Sequence, residues 1–210
     1  MTANQFVKHV RSEAAKHNVK VHLPKQSCVY IGELACGGYS SDTEIAVGID
    51  KPQEIWFPIL AHEYCHMMQT VEKAKVSLQA DQPFYYRLDA ITIFHDWIEG
   101  TDYPRYAVQK AYTRSRNIEL DCEKRVAKLI QQLDLPIDIE THTRQSNAYI
   151  FFYDVARRHR VWPIPGRLYS NNTDLIQASP DKFLPTSHYS HVEDYPELYR
   201  QLILASERLF

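Results

Sequence analysis

The chain of 210 residues lacks most of the features that assign a protein to a class at sight. It has no excess of one charge. With 24 basic against 26 acidic residues and a net charge of -2, it carries no global field for nucleic acid or an anionic membrane, so such a partner would need a local patch. It has no window near the roughly 18 apolar residues that span a bilayer, and no apolar run follows Met1–Val10 as in a secretory leader. Its 4 cysteines, Cys28, Cys36, Cys65 and Cys122, form no C-x-x-C pair and no regular framework, which disfavours a disulfide scaffold and points to a reducing, cytoplasmic setting. Glycine is scarce, at 6 residues, with no collagen-like period. What is present is an ordinary globular composition, 44% hydrophobic and 24% charged, which excludes a disordered chain and a coiled coil. Two residue types stand out: 14 tyrosines and 10 histidines, a store of polar-tipped aromatic surface, metal ligands and proton carriers.

Periodicity predicts an amphipathic helix over 4–17, then a β region. Strands are expected at 19–23 and 28–32, a turn at 37–42, and a third strand at 44–50 with Ile45, Val47 and Ile49 on one face. The opposite face is small, with Ala46 and Gly48, and would let another extended chain come close. A helix is expected over 55–72 with Pro58 in its first turn, where a missing N–H does no harm. Helices then follow at 84–99, at 106–133 as one helix or two broken near Ser115, and at 146–160. Five of 11 prolines lie beyond 162, so 161–195 reads as irregular chain before a terminal helix at 195–209. The expectation is one α+β domain, 1–210: a small twisted N-terminal sheet, a mainly helical part, and 161–210 as a C-terminal extension.

Within 55–72 stands His62-Glu63-Tyr64-Cys65-His66, an H-E-x-x-H pattern. Residues i and i+4 share a helix face, so both imidazoles can point at one ion, while Glu63 sits about 100° round, able to reach a metal-bound water without ligating. Zinc suits such a site, since it takes imidazole nitrogen and keeps a position for water. Chance alone gives about 0.03 such matches in a chain of this composition, so the pattern is informative without being decisive.

A third ligand must come from elsewhere. Position 69 is Gln69, not the glycine that would let the chain turn back, which argues against Glu72. A carboxylate on a separate helix is the alternative, and Ser115-Arg116-Asn117-Ile118-Glu119-Leu120-Asp121-Cys122-Glu123 supplies one. Glu119 and Glu123 share a face beside the apolar stripe of Ile118, Cys122, Val126, Leu129 and Ile130, and Asp121 points elsewhere. Two acids at a core-facing edge read as a ligand and its hydrogen-bonding partner, or as ordinary ion pairs with Arg116 or Lys124.

These two segments resemble the gluzincins, metallopeptidases with H-E-x-x-H on one helix and a Glu ligand on a later one. The second segment is similar to the S-R-x-x-E-x-x-A-D stretch of HtpX-type peptidases at Ser115, Arg116, Glu119, Cys122 and Glu123, with Cys for Ala and Glu for Asp. It is also similar to the E-x-E-A pattern of ImmA-type minigluzincins, which aligns on Glu119-Leu120-Asp121-Cys122 and makes Asp121 an alternative ligand. The resemblance spans roughly 28–130 and implies a zincin-like fold. It implies zinc held by His62, His66 and Glu119, with Glu123 or Asp121 as supporting or alternative ligand, and Glu63 as the base in peptide hydrolysis. It also implies a peptide or protein substrate lying along strand 44–50 as an edge strand. His188, Tyr189 and His191 are the candidates for stabilising the oxyanion. Short soluble chains of this kind look like those of tailed bacteriophages, so the second expectation is a non-catalytic component of a larger assembly such as a virion, its tyrosines making protein contacts. No nucleic acid or membrane partner is expected. The cluster Arg157-Arg158-His159-Arg160 reads as the basic end of a helix rather than a phosphate patch.

Overall fold

The computed structural model describes residues 1–32, 34–163 and 172–207. Pro165 and positions 208–209 of the helix expected at 195–209 lie outside them; within them that helix ends at Leu204, and Ser206–Glu207 is a strand paired with Trp162–Pro163. In chain order the elements are α1 (Ala3–Lys16), β1 (Lys20–His22), β2 (Val29–Ile31), β3 (Leu34–Cys36), β4 (Gly38–Ser40), β5 (Glu44–Val47), α2 (Gln53–Val71), α3 (Lys75–Asp81), α4 (Ala90–Ile98), α5 (Arg105–Leu133), α6 (Ile139–His159), β6 (Trp162–Pro163), α7 (Thr173–Ala178), α8 (Pro196–Leu204) and β7 (Ser206–Glu207). The class is α+β, as expected, and no described helix is long and apolar enough to cross a membrane. The chain gathers into two compact units, 1–74 with 122–139, and 75–121 with 140–210, so their boundary falls within α5.

In the first unit α1 begins in a capping box: Thr2 accepts from the Gln5 N–H and the Gln5 side chain accepts from Thr2. It buries Phe6, Val10 and Ala14. The three-stranded sheet has the order β1-β5-β4. β5 is therefore central, pairing parallel with β1 (Lys20↔Glu44) and antiparallel with β4 (Tyr39↔Ala46). The expected turn at 37–42 contains β4 instead, and β4, not β5, is an edge. The two readings part because Gly37 and Gly38 are turn-like in composition but serve close packing: a Cβ on Gly38 would stand 2.7 Å from Ile59 of α2. The close approach expected at Gly48 is made not by another extended chain but by the protein's own bend at 25–27, for a Cβ on Gly48 would lie 2.7 Å from the Gln26 carbonyl oxygen.

Helix α2 starts earlier than expected, so Pro58 falls in its second turn. The proline deprives only the Glu54 carbonyl, at an exposed helix start where water can replace the bond. One side of α2 is pinned to α1, with Phe6 edge-on to Phe57 at 5.4 Å and to Tyr64 at 5.9 Å. The core also takes Ile45, Val47, Leu60, Ala61 and, from the last part of α5, Cys122, Val126 and Ile130. The N-terminal ammonium donates to the Leu133 carbonyl at 3.0 Å, supplying positive charge where the α5 dipole ends.

In the second unit Phe94, Tyr112, Ile150, Phe151, Phe152 and Tyr189 are fully buried. Helix α5 runs unbroken past Ser115. Helix α4 covers only part of the expected 84–99, because the Asp89 side chain accepts from the Thr92 N–H at 2.8 Å and starts the helix there. Helix α6 begins seven residues before Ser146, α3 was not anticipated, and the proline-rich stretch contains α7 and two 3-10 turns, Thr186–Ser190 and Val192–Asp194. The arginine cluster is structural: Asp154, fully buried, accepts from Arg157 and Arg158 at 3.0 Å and from the Val192 N–H at 3.3 Å.

Replacing Gly48 with alanine should therefore destabilise the first unit by about 1–3 kcal/mol, since the added methyl meets main chain that cannot rotate away. Urea denaturation would show this as a lowered midpoint; an unchanged midpoint would mean that the 26–28 segment yields.

Candidate metal centre

His62 and His66 lie one turn apart on α2, opposite the Tyr64 side that packs on α1, and their Nε2 atoms meet at 3.0 Å. Each ring is fixed from its other nitrogen. His62 Nδ1 lies 3.0 Å from Glu123 Oε1, and His66 Nδ1 lies 2.8 Å from Gln69 Oε1. A carboxylate and an amide oxygen only accept, so both Nδ1 atoms are donors, and the two Nε2 atoms face one point with either a shared proton or a metal ion to hold there. Two lone pairs at that distance repel unless a cation lies between them. Two nitrogens on one tetrahedral zinc stand about 3.3 Å apart, close to the spacing here. The donor set and its bracing thus fit a borderline-soft divalent ion such as zinc.

A proton can serve as the cation when no metal does. Burial opposes charge on His62, but the Cys122 sulfur and the Glu123 carboxylate beside Nδ1 outweigh it and hold the imidazole well above its ordinary value. A metal at Nε2 would have to displace that proton.

The Cys122 sulfur lies with the two histidines in a group whose ligand atoms are within 4.8 Å of one another. It approaches His62 from the Nδ1 side at 3.6 Å and donates to the His62 carbonyl at 3.3 Å. Because Nδ1 and Nε2 point away from each other across the ring, this thiol backs the imidazole rather than facing the point of convergence. Cys65, buried on the same helix, has its thiol pushed up by burial and by the neighbouring Cys122, the state of an apolar filler.

Glu63 is buried on the strand side of α2: burial and the Glu63 charge together raise the Cys36 thiol of β3. The structure thus brings together His62, His66 and Glu123, with Glu63 next along the helix. Glu119 stands one turn before Glu123 and is partly buried, as is Asp121; both belong to the stretch of α5 that folds with the second unit.

The three tail candidates are differently placed. Tyr189 is fully buried, its hydroxyl donating to Asn147 and accepting from the Leu184 N–H at 3.0 Å, so this phenol ties down the 3-10 turn and is withdrawn from oxyanion stabilisation. His188 and His191 are exposed, beside Tyr195 at 3.2 Å and Glu193 at 3.7 Å. Gln69 is the residue that sequence reasoning passed over. In the sequence it stands out only as the absence of a glycine, although its i+3 spacing from His66 puts it on the same face.

Removing a brace should loosen the pair without unfolding the chain. Gln69→Ala and Glu123→Gln are each expected to weaken zinc binding roughly 10- to 100-fold in chelator competition, with unchanged circular dichroism. Wild-type affinity in both variants would show that the rings are held by something else. No protein-family model, curated protein or solved structure matches this chain.

Proposed function

We propose that the chain is a zinc-dependent hydrolase of peptide bonds. The observation that carries this reading is the convergence of the His62 and His66 Nε2 atoms at 3.0 Å with both Nδ1 atoms braced. The third position goes to Glu119, which the gluzincin resemblance selects and which precedes Glu123 by one turn of α5. Bound zinc would supply Lewis acidity and a water of lowered pKa. Glu63, adjacent to His62, takes a proton from the attacking water and passes it to the leaving amine.

The substrate strand is assigned to β4. The Ser41 N–H bonds the Glu44 carbonyl and the Gly48 N–H bonds the Gly37 carbonyl, so odd-numbered residues here bond inward to β5. The main-chain groups of Gly38 and Ser40 are therefore directed away from β5, where an extended peptide can pair with them.

Metal analysis with hydrolysis of labelled casein tests this reading. About one zinc per chain is expected; Glu63→Gln should keep the metal and lose at least 10²-fold in rate, while His66→Ala should lose both. No uptake from zinc-replete medium, or full activity in Glu63→Gln, would overturn it. Retained zinc without hydrolysis by the wild type would favour the non-catalytic assembly component. Comparing Glu119→Gln, Asp121→Asn and Cys122→Ser for zinc content identifies the third ligand, and loss in Cys122→Ser alone would move the assignment from Glu119 to the thiolate.

A further inference from the structure

A second feature lies in the other unit and concerns the tyrosines. Tyr85 is a hub of rings, 4.6 Å from Tyr86, 5.8 Å from Tyr103 and 6.1 Å from Tyr106. Tyr86 is 83% exposed and Tyr106 64%, so both residues are largely open to water. Tyr86 is held there by an unusual turn. The Leu88 N–H bonds the Tyr85 carbonyl at 2.8 Å and the Phe84 N–H bonds the Leu88 carbonyl at 3.1 Å, closing a two-residue loop in which Tyr86 and Arg87 have φ of 44° and 65°. Such a loop ordinarily carries Asn-Gly, because L side chains enter the left-handed region only at a penalty. A tyrosine and an arginine at its tip are strained residues displayed to solvent.

Cations surround these rings. Lys110 and Arg114 lie over the Phe84 ring at 4.6 and 4.9 Å. Tyr106, Lys110 and Arg114 follow at i, i+4 and i+8 on α5, a row with steps of roughly 6 Å along the axis. Arg87 and Arg105, next to Tyr86 and Tyr106, are exposed, and among the described residues none of these four cations is in an ion pair. Four basic side chains thus stand beside the exposed rings, while of the acids in the same stretch Asp89 is engaged at the Thr92 N–H and Asp102 by Arg160.

We infer that this face binds single-stranded nucleic acid. Unstacked bases lie on Tyr86 and Tyr106 while Arg87, Arg105, Lys110 and Arg114 follow the phosphates. A duplex would keep its bases from the rings, and an uncharged peptide would leave the cations unanswered. The 157–160 cluster does not serve this role, because Asp154, Glu193 and Asp102 already hold its arginines.

The test is fluorescence anisotropy of labelled oligo(dT) and oligo(U) of about 15 nucleotides at low and moderate salt. Binding should weaken as salt rises, and Lys110→Gln and Arg114→Gln should each reduce the salt slope by about 1. Tyr106→Ala and Tyr86→Asn should each lower affinity roughly five- to a hundredfold. Because asparagine tolerates the left-handed turn, Tyr86→Asn should also raise the melting temperature, which separates a lost contact from a damaged fold. Glu63→Gln should bind as the wild type does, so the inference stands or falls apart from the hydrolase reading. A difference between the two oligomers identifies DNA or RNA as the natural ligand. Absence of binding at low salt, binding indifferent to both tyrosine variants, or a dimer that Tyr86→Asn dissociates would overturn it, the last by assigning the face to a second copy of the chain.

Discussion

Two imidazole nitrogens held 3.0 Å apart, each with its partner nitrogen beside an acceptor, are the constraint on which the first unit turns, because a shared proton or a metal ion would relieve the repulsion between their lone pairs. The brace on His66 is local, coming from the same helix. The brace on His62 is not, since Glu123 arrives from a helix 61 residues away in sequence. The pair is thus defined only when α2 and the last part of α5 are packed together, and the shared core of Leu60, Ala61, Cys122 and Val126 holds them so. Removing water from that core contributes, by the usual scale, about 1.5–3 kcal/mol for each large side chain, enough to oppose the desolvation of a histidine and a carboxylate beside it.

The same economy of close contact governs the strands. With few glycines in the chain, three of them, Gly37, Gly38 and Gly48, stand where backbone or side chain comes within 3 Å of an absent Cβ. Gly38 lets the edge strand β4 lie against Ile59 of the H-E-x-x-H helix, which places main-chain groups and Glu63 on the same side of α2. Gly48 lets the 26–28 segment cover β5. The second unit relies on a different device, buried polar ties: Asp154 to Arg157 and Arg158, and Tyr189 to Asn147, fasten the 3-10 turns to α6 in a region where regular ladders are few.

Local signals were legible in the sequence wherever one short stretch decides its own fate. The i, i+4 histidines and the apolar stripe of α5 follow from helical periodicity alone. The start of α4 is not legible because Phe84 and Tyr85 continue its apolar pattern, while the Asp89 cap and a strained turn override it. Strand β4 has the composition of a turn because its glycines answer to Ile59, a residue that the local sequence cannot reveal.

The chain by itself determined that two histidines share a helix face with a glutamate between them, because helical spacing is a property of the backbone. Which nitrogen of each ring faces inward, which of the acids on α5 grips His62, which strand is the edge, and that Tyr189 is a core tie were decided only by the tertiary structure. Each depends on a partner distant in sequence or on a hydrogen bond whose second atom is supplied by packing. The surplus of tyrosine divides in the same way: composition counted the rings, and folding chose which to bury and which, at the tip of a left-handed turn, to leave facing water.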